Sequence, residues 1–219
     1  MDIINQLKNQ IPEYNKFNFI GFKHNLTLIK QIGPTCGLAC IAMMNQNTTI
    51  KSLLDLAISL GYTRQGELFS SLNLSNLASK TGINSSCIEF PHPKELVQLL
   101  KTGCIAIPYD RDKNNQPILL NGNSCHWSLC IGVILKRLDG GGNVIYTESF
   151  KFPELECDAT NTYLILAHGL SNYLMIVSYK NMYESCLGLN QASIRVKTGN
   201  YVYNGMDQIR GLVVLLETL

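Results

Sequence analysis

The spacing of apolar residues divides the chain into a helix-rich first half and a strand-rich second half. Before Gly103, apolar residues recur every three or four positions in segments that end near glycine or proline. These segments predict helices in residues 2–10, "CGLACIAMM", "TIKSLLDLAISLG", "LSNLASKTG" and "PKELVQLLKTG". The segment "NLTLIKQI" predicts an extended or strand conformation that ends at Gly33-Pro34.

The second half contains short runs of β-branched and aromatic residues separated by polar turns. They predict strands in "CIAIPY", "HWSLCIGVIL", "NVIYTE", "TYLILAHG", "YLMIVSY", "RVKTGNYVYN" and "GLVVLLE". Helices followed by strands favour an α+β fold, in which a helical lobe packs on an antiparallel sheet. The chain has 219 residues and no internal repeat, so we expect one domain over residues 1–219.

Composition and charge narrow the class of function. The chain carries 18 basic and 16 acidic side chains, a net charge of +2, and lacks a Lys/Arg-rich block, so no nucleic-acid partner is expected. The N-terminus does not resemble a signal peptide, and no apolar run approaches the roughly 18 residues of a membrane helix. We therefore expect a cytoplasmic protein without a membrane partner, whose eight cysteines are reduced thiols.

Cys36 is placed at the start of a predicted helix, with Thr35 as its N-cap. A free thiol has a pKa of about 8.5 and is mostly protonated in the cytosol. The unpaired N–H groups and partial positive charge of a helix N-terminus favour the thiolate. Gly37 keeps the backbone accessible, and the Cys36 N–H together with the Gln31 side chain could serve as donors to an oxyanion. This pattern indicates a nucleophile.

A cysteine nucleophile needs a histidine to take its proton and to protonate the leaving group. Of the four histidines, His126 opens the most apolar predicted strand, directly after the polar loop "NGNSC". The open end of a buried strand is a suitable place from which to face a helix N-terminus across a cleft. We therefore predict that His126 is the base.

Other interpretations of the same residues remain open. Free cysteines are often buried in the core, which is the better interpretation of Cys40, Cys104 and Cys130. A histidine in a strand is also often structural. A zinc site is a further alternative, although its ligands would come from a helix and an apolar strand rather than from a tight Cys-x2–4-Cys pair. Those ligands would be Cys36, Cys40, Cys125, His126 and Cys130.

Several blocks of the sequence resemble one known family. "QIGPTCGLACIAMM", "GYTRQGELFS", "IPYDRDKNNQP" and "HWSLCIGVIL" occur in the order found in the actin maturation protease family, and "YLMIVSYKNMYESCLGL" is similar to a fifth block. The family consists of papain-like cysteine peptidases similar to the bacteriocin-leader peptidases. The resemblance covers roughly residues 25 to 215 and implies a papain-like cysteine peptidase fold.

The resemblance also implies a reaction. The family removes the acetylated N-terminal residue of immature actin, Met or Cys, and exposes the acidic mature N-terminus. By matching position, Cys36 would be the nucleophile, His126 the general base and acid, and Gln31 the oxyanion-hole donor. The mechanism implies no metal and no organic cofactor. Actin would be the partner, and profilin-bound actin is a further candidate.

One position departs from the family pattern. The aspartate that commonly precedes the tyrosine of the fifth block is Ser178 here, and papain-like sites usually contain an Asn or Asp that orients the histidine. Either another group orients His126, with Asn181 and Asp139 as weak candidates, or the site works as a dyad.

An acidic substrate is expected to meet cationic side chains near the cleft. Arg64, Arg111 and Lys113 lie in the family-like blocks and are predicted contacts, although each could equally be an ordinary solvated charge. Two alternative functions remain: a leader-peptide type of peptidase with another substrate, and a catalytically weak scaffold or chaperone that binds actin.

Overall fold

An eight-stranded sheet organises the computed structural model, which describes residues 2–138 and 140–217. Within these residues the strands are β1 Asn18–Lys23, β2 Asn84–Glu89, β3 Gly103–Asp110, β4 Cys125–Arg137, β5 Val144–Tyr146, β6 Thr162–Ala167, β7 Met175–Ser178 and β8 Leu212–Glu217. The main path runs in the order β2-β8-β3-β4-β1-β5. All pairs are antiparallel except β1 with β5, which is parallel.

Strand β4 is the centre of the sheet. One edge of β4 pairs first with β3 and then with β1. Strand β6 pairs with residues of β4 that already have these partners, so it lies along the opposite edge and carries β7 beyond it. The first residues of β4 and the residues that follow β6 therefore meet at one end of the sheet.

Helices cover both faces of the sheet. Within the described residues they are α1 Ile3–Gln10, α2 Cys36–Met44, α3 Ile50–Ser59, α4 Ser71–Lys80, α5 Pro93–Thr102, α6 Tyr179–Leu187 and α7 Ile194–Thr198. Short 3-10 turns occur at Tyr14–Lys16, Ser149–Lys151, Glu154–Glu156 and Met206–Gln208.

The apolar core divides into two clusters, one on each face. Trp127 of β4 belongs to the cluster that contains Leu38 of α2 and Leu74 of α4. Val133 of β4 belongs to the cluster that contains Leu96 of α5. A strand that buries both faces has a continuous apolar sequence, which explains the run "HWSLCIGVIL".

Helix α1 protects the exposed edge of the sheet. The Gln6 side chain donates to the Leu174 carbonyl (2.8 Å) and accepts from the Ile176 N–H (2.8 Å), and Gln10 donates to the Ile176 carbonyl (2.7 Å). The two amides occupy hydrogen-bonding groups of β7 that a further strand would otherwise use.

The α+β class is confirmed, and the five predicted helices are observed with small shifts at their ends. The prediction of one helical lobe on an antiparallel sheet needs correction, because helices pack on both faces and β1–β5 is parallel. "NLTLIKQI" follows the extended alternative, since residues 25–32 lie outside the named strands.

Two further segments differ from the sequence prediction. "RVKTGNYVYN" was predicted as a strand, but the Ser193 side chain accepts from the Val196 N–H and begins the short helix α7. The sequence patterns also missed β1, β2 and α6. Helix α6 begins where the Ser178 side chain accepts from the Asn181 N–H, a capping contact that ends strand β7. Among the described residues, no helix is both long and apolar enough to cross a bilayer.

Candidate active site

Cys36 is the first residue of α2, as predicted. Thr35 occupies the N-cap position, but its hydroxyl donates to the Ile32 carbonyl (3.0 Å) and accepts from the Ile32 N–H (3.1 Å). It therefore stabilises the preceding loop and makes no side-chain cap on α2. The first-turn N–H groups of α2 remain available to stabilise negative charge near the thiol.

The Cys36 thiol lies against polar main-chain groups. Burial raises its pKa, and a weaker repulsion from Glu67 acts in the same direction. Hydrogen bonding from the backbone N–H groups of Trp127, Gly37 and Cys36 itself opposes the rise. Because burial dominates, the thiol is protonated at neutral pH in the ligand-free site.

His126 is the second residue of β4 and is only 4% exposed. Burial, then the neighbouring His168, then Arg111 lower its pKa to about 3. The imidazole is therefore neutral at pH 7 and able to accept a proton. Its Nε2 atom is buried and has no hydrogen-bond partner among the described residues.

Trp127 connects the two predicted catalytic residues. Its backbone N–H interacts with the Cys36 thiol, and His126 immediately precedes it in β4. The indole Nε1 donates to the Leu68 carbonyl (2.9 Å). Gly37 packs against Leu74 and Trp127, since a Cβ there would lie 3.3 Å from the Leu74 Cδ1 and 3.4 Å from the indole Cδ1. The start of β4 and the start of α2 are thus fixed against each other.

Gln31 lies in the loop before α2, next to the turn that follows β6. Its backbone N–H donates to the Gly169 carbonyl (2.9 Å), and its Nε2 donates to the Gly33 carbonyl (2.7 Å). Gly169 must lack a side chain, since a Cβ would lie 2.8 Å from the Gln31 Cβ. The role of Gln31 as an oxyanion donor stays a prediction that depends on the second hydrogen of this amide.

Glu67 is a residue near Cys36 that the sequence reasoning did not single out. Burial raises its pKa, while Arg195 and a hydrogen bond with Tyr201 act against that rise. Its Oε2 is buried without a hydrogen-bond partner among the described residues. The sequence feature that could have pointed to Glu67 is its position in the block "GYTRQGELFS". The preceding Gly66 packs on Thr35, because a Cβ at this glycine would lie only 2.6 Å from the threonine Cγ2.

Asp110 is a second residue that the sequence reasoning missed. It is fully buried at the end of β3, and its carboxylate accepts from the backbone N–H groups of Leu120 (3.2 Å), Gly122 (2.6 Å) and Ser124 (2.8 Å). These bonds shape the loop that leads into β4 and hence the position of His126.

The three predicted cations occupy different environments. Arg111 is half-buried, donates to the Asn115 side chain (2.9 Å), and its charge lowers the pKa of both His126 and His168. Arg64 and Lys113 are exposed. Among these three cations, Arg111 is therefore the one whose charge acts on the two histidines in the described part of the chain.

The candidate orienting residues lie elsewhere. The Ser178 hydroxyl caps α6 by accepting from Asn181 N–H (3.2 Å), and Asn181 is exposed. Asp139 lies outside the described residues. Two rings instead lie beside the His126 ring: Tyr109, with centroids 5.8 Å apart, and His168, with centroids 6.0 Å apart and an interplanar angle of 83°.

A cleft of about 580 Å³ borders His168. Its lining includes Tyr173, Leu174 and Met175 together with side-chain amides from α1 and from the loop after β3: Gln6, Asn9, Gln10, Asn114, Asn115 and Gln116. The cleft brings the block "IPYDRDKNNQP" next to the candidate site.

The alternative of a zinc site can be compared with the arrangement of the metal-ligating side chains. Across residues 2–138 and 140–217, no group of three or more His, Cys, Asp or Glu residues is arranged to hold a metal ion. All eight cysteines are unpaired, and Cys36, Cys87 and Cys125 are the partly exposed ones.

Sequence comparisons identify related proteins. A family model described as "Actin maturation protease-like, C-terminal domain" matches residues 26–134. The Drosophila melanogaster actin maturation protease is 37% identical over 122 residues, which cover 53% of this chain and 46% of the relative. The Homo sapiens protein of the same name is 28% identical over 213 residues, 84% of this chain and 60% of the relative. The chain spans about half the length of the curated relatives it matches.

Two solved peptidase domains overlay on most of the chain. The peptidase domain of Streptococcus ComA, a bifunctional ABC transporter involved in quorum sensing, covers 89% of this chain and all of the solved domain, with 14% identity and a TM-score of 0.46. A double glycine motif protease from an AMS/PCAT transporter, solved with its leader peptide, covers 90% of this chain and 95% of its own, with 12% identity and a TM-score of 0.42.

The family match contains several residues described above. Gln31, Cys36, Glu67, Asp110 and His126 all fall inside the matched range. By this match and the named relatives, residues 26–134 belong to the actin maturation protease-like family.

Proposed function

We propose that this chain is a papain-like cysteine peptidase of the cytoplasm that removes the acetylated first residue, Met or Cys, from immature actin. The observation that carries the proposal is the pairing of two features. Cys36 opens a helix whose first turn has no side-chain cap, and a buried neutral imidazole directly precedes the residue whose N–H interacts with its thiol. The names of the curated relatives supply the substrate.

The residues support a general-base mechanism. His126 takes the thiol proton as the Cys36 sulfur attacks the carbonyl carbon of the first residue. The Cys36 N–H and the Gln31 amide stabilise the oxyanion. The imidazolium then protonates the departing amine of the shortened actin chain. Water, deprotonated by His126, hydrolyses the thioester and releases the N-acetyl amino acid.

Substrate recognition is proposed to be electrostatic in part. The mature actin N-terminus is acidic, and Arg111 adds positive charge close to His126 and His168. Arg64 and Lys113 remain predicted contacts of the same kind. Profilin-bound actin is a candidate form of the substrate. We also propose that residues 1–219 form a single domain.

One observation favours the scaffold alternative. The pKa of Cys36 is raised, and the groups that shift the pKa of His126 within the described residues include no carboxylate to stabilise an imidazolium. A protein with this site could bind the actin N-terminus and turn it over slowly or not at all.

A peptide assay separates these functions. The protein, Cys36→Ala and the matched control Cys40→Ala are incubated with N-acetylated actin peptides, and the products are read by mass spectrometry. We expect loss of the acetylated first residue with the unmodified protein and with Cys40→Ala, and none with Cys36→Ala. Binding without mass loss would favour the scaffold, and cleavage by Cys36→Ala would overturn the mechanism.

A further inference from the structure

Two imidazoles meet at the end of the sheet where the predicted catalytic residues lie. His126 is the second residue of β4, and His168 directly follows β6, its antiparallel neighbour. The pairing of Leu129 with Ala167 places the end of β6 beside the start of β4. The two rings are nearly perpendicular, with centroids 6.0 Å apart.

Each ring has a buried nitrogen without a hydrogen-bond partner among the described residues. These atoms are Nε2 of His126 and Nδ1 of His168, and the two residues are 4% and 3% exposed. A neutral imidazole has one N–H donor and one nitrogen acceptor. In this structure the two nitrogens do not hydrogen-bond to each other, and leaving both unpaired costs free energy. Turning the rings until one nitrogen donates and the other accepts would remove that cost.

Other nearby groups are engaged or are chemically unsuited to accept a proton from His126. The Tyr109 ring lies 5.8 Å from the His126 ring, but its hydroxyl donates to the Asn115 carbonyl (3.0 Å). Arg111 carries only donors.

We propose that His168 is a positioning residue for His126, its Nδ1 accepting the Nε2–H of His126. This bond would select the tautomer whose Nδ1 is unprotonated and able to take the Cys36 thiol proton. The inference depends on the proposed peptidase function. The proton stays on His126, because His168 acts only as an acceptor.

The surrounding structure supports this role. The Gly169 carbonyl accepts from the Gln31 N–H (2.9 Å), so the turn after β6 also holds the loop that precedes the nucleophile. His168 thus belongs to the same rigid connection as Gln31 and Cys36. Three titratable or charged groups face the two imidazoles. The Tyr109 ring lies beside His126, and the charge of Arg111 acts on both histidines. The Cys36 thiol interacts with the N–H of Trp127, the residue after His126.

Three substitutions test the proposal. His168→Asn retains an acceptor, His168→Asp adds a charged acceptor, and His168→Phe keeps an aromatic ring without one. We expect His168→Phe to lower kcat for the acetylated peptide by about 10- to 100-fold, with KM and thermal stability little changed. His168→Asn should retain most of the activity.

The pH profile gives a readout that packing alone would not change. The carboxylate introduced by His168→Asp would favour the imidazolium, so the acid limb of kcat/KM should move to higher pH. Equal losses in His168→Asn and His168→Phe, or an unmoved acid limb in His168→Asp, would overturn the positioning role.

A substrate-free measurement keeps this proposal separate from the proposed function. The rate of Cys36 alkylation by iodoacetamide is followed against pH, with each site read by mass spectrometry. His168→Asp should accelerate alkylation near neutral pH through a Cys36 thiolate–His126 imidazolium pair, and His168→Phe should not. If the unmodified protein cleaves no actin peptide but the alkylation profiles differ in this way, the proposed function fails and the positioning role holds. Identical alkylation profiles would refute the positioning role.

Discussion

A neutral thiol beside a neutral imidazole is the state that burial favours at the candidate site. Burial is the largest cause of both shifts: it raises the pKa of Cys36 and lowers that of His126 to about 3. The helix N-terminus and the Trp127 N–H reduce the free-energy cost of the thiolate, but the pKa of Cys36 stays raised. The sequence predicted a site in which the helix promotes the thiolate. The structure instead favours the protonated thiol and the neutral imidazole in the ligand-free site.

Glu67 provides a prediction at the scale of one residue. Its negative charge raises the pKa of Cys36, so Glu67→Gln should lower that pKa and increase the alkylation rate severalfold at a pH where Glu67 is ionised. The measurement is the pH dependence of iodoacetamide labelling at Cys36, with the partly exposed Cys87 as an internal reference. Glu89→Gln, at an exposed position on β2, is the matched control. The predicted repulsion would be contradicted if the inflection in the Cys36 labelling rate against pH stayed in place or moved to higher pH in Glu67→Gln.

At the scale of the elements, the loop between β3 and β4 depends on one buried carboxylate. The Asp110 carboxylate accepts hydrogen bonds from three backbone N–H groups of that loop. The sequence analysis did not single out Asp110, because a charged residue in a polar segment has no local mark of burial. Only the pairing of β3 with β4 encloses it.

Asp110→Asn tests this loop. The substitution replaces an acceptor carboxylate by an amide with a single acceptor oxygen, so we expect a loss of about 2–3 kcal/mol in the free energy of unfolding. Urea denaturation measures the change, and Asp55→Asn, at an exposed position on α3, is the control. A drop in kcat larger than the loss of folded protein would show that the loop also positions His126. If both variants were equally stable, the carboxylate would not be what holds the loop.

For the whole molecule, the buried imidazole predicts sensitivity to acid. The folded-state pKa of His126 is about 3, against an ordinary value of 6.5. The unfolded chain therefore binds more protons between these values, so stability is unaffected above pH 6.5 and falls as pH decreases toward 3. The loss attributable to this residue is about 3 kcal/mol at pH 4 as an upper estimate.

Urea unfolding from pH 7 to pH 4 checks this prediction. His126→Gln cannot titrate and should show a shallower decline in the free energy of unfolding than the unmodified protein. His92→Gln, at an exposed position, is the matched control and should follow the unmodified protein. Parallel curves for all three proteins would show that His126 is hydrated or protonated in the folded state at acidic pH.

Local sequence patterns determined the five predicted helices, most of the strands and the position of the proposed nucleophile at a helix start. Apolar periodicity, caps and Gly/Pro breaks act over a few residues, so Cys36 at the start of α2 and His126 at the start of β4 follow from the chain itself. The same patterns failed at "RVKTGNYVYN" and α6, where single serine caps outweigh strand propensity.

Only the tertiary structure decided the surroundings of these residues. It placed His168 beside His126, aimed the Trp127 N–H at the Cys36 thiol and brought Glu67 into range. These neighbours come from strands and loops distant in the sequence, and pKa values depend on burial and on charges in space. For that reason the sequence determined which residues could carry the proposed chemistry, and the fold decided their protonation and the rings that lie beside His126.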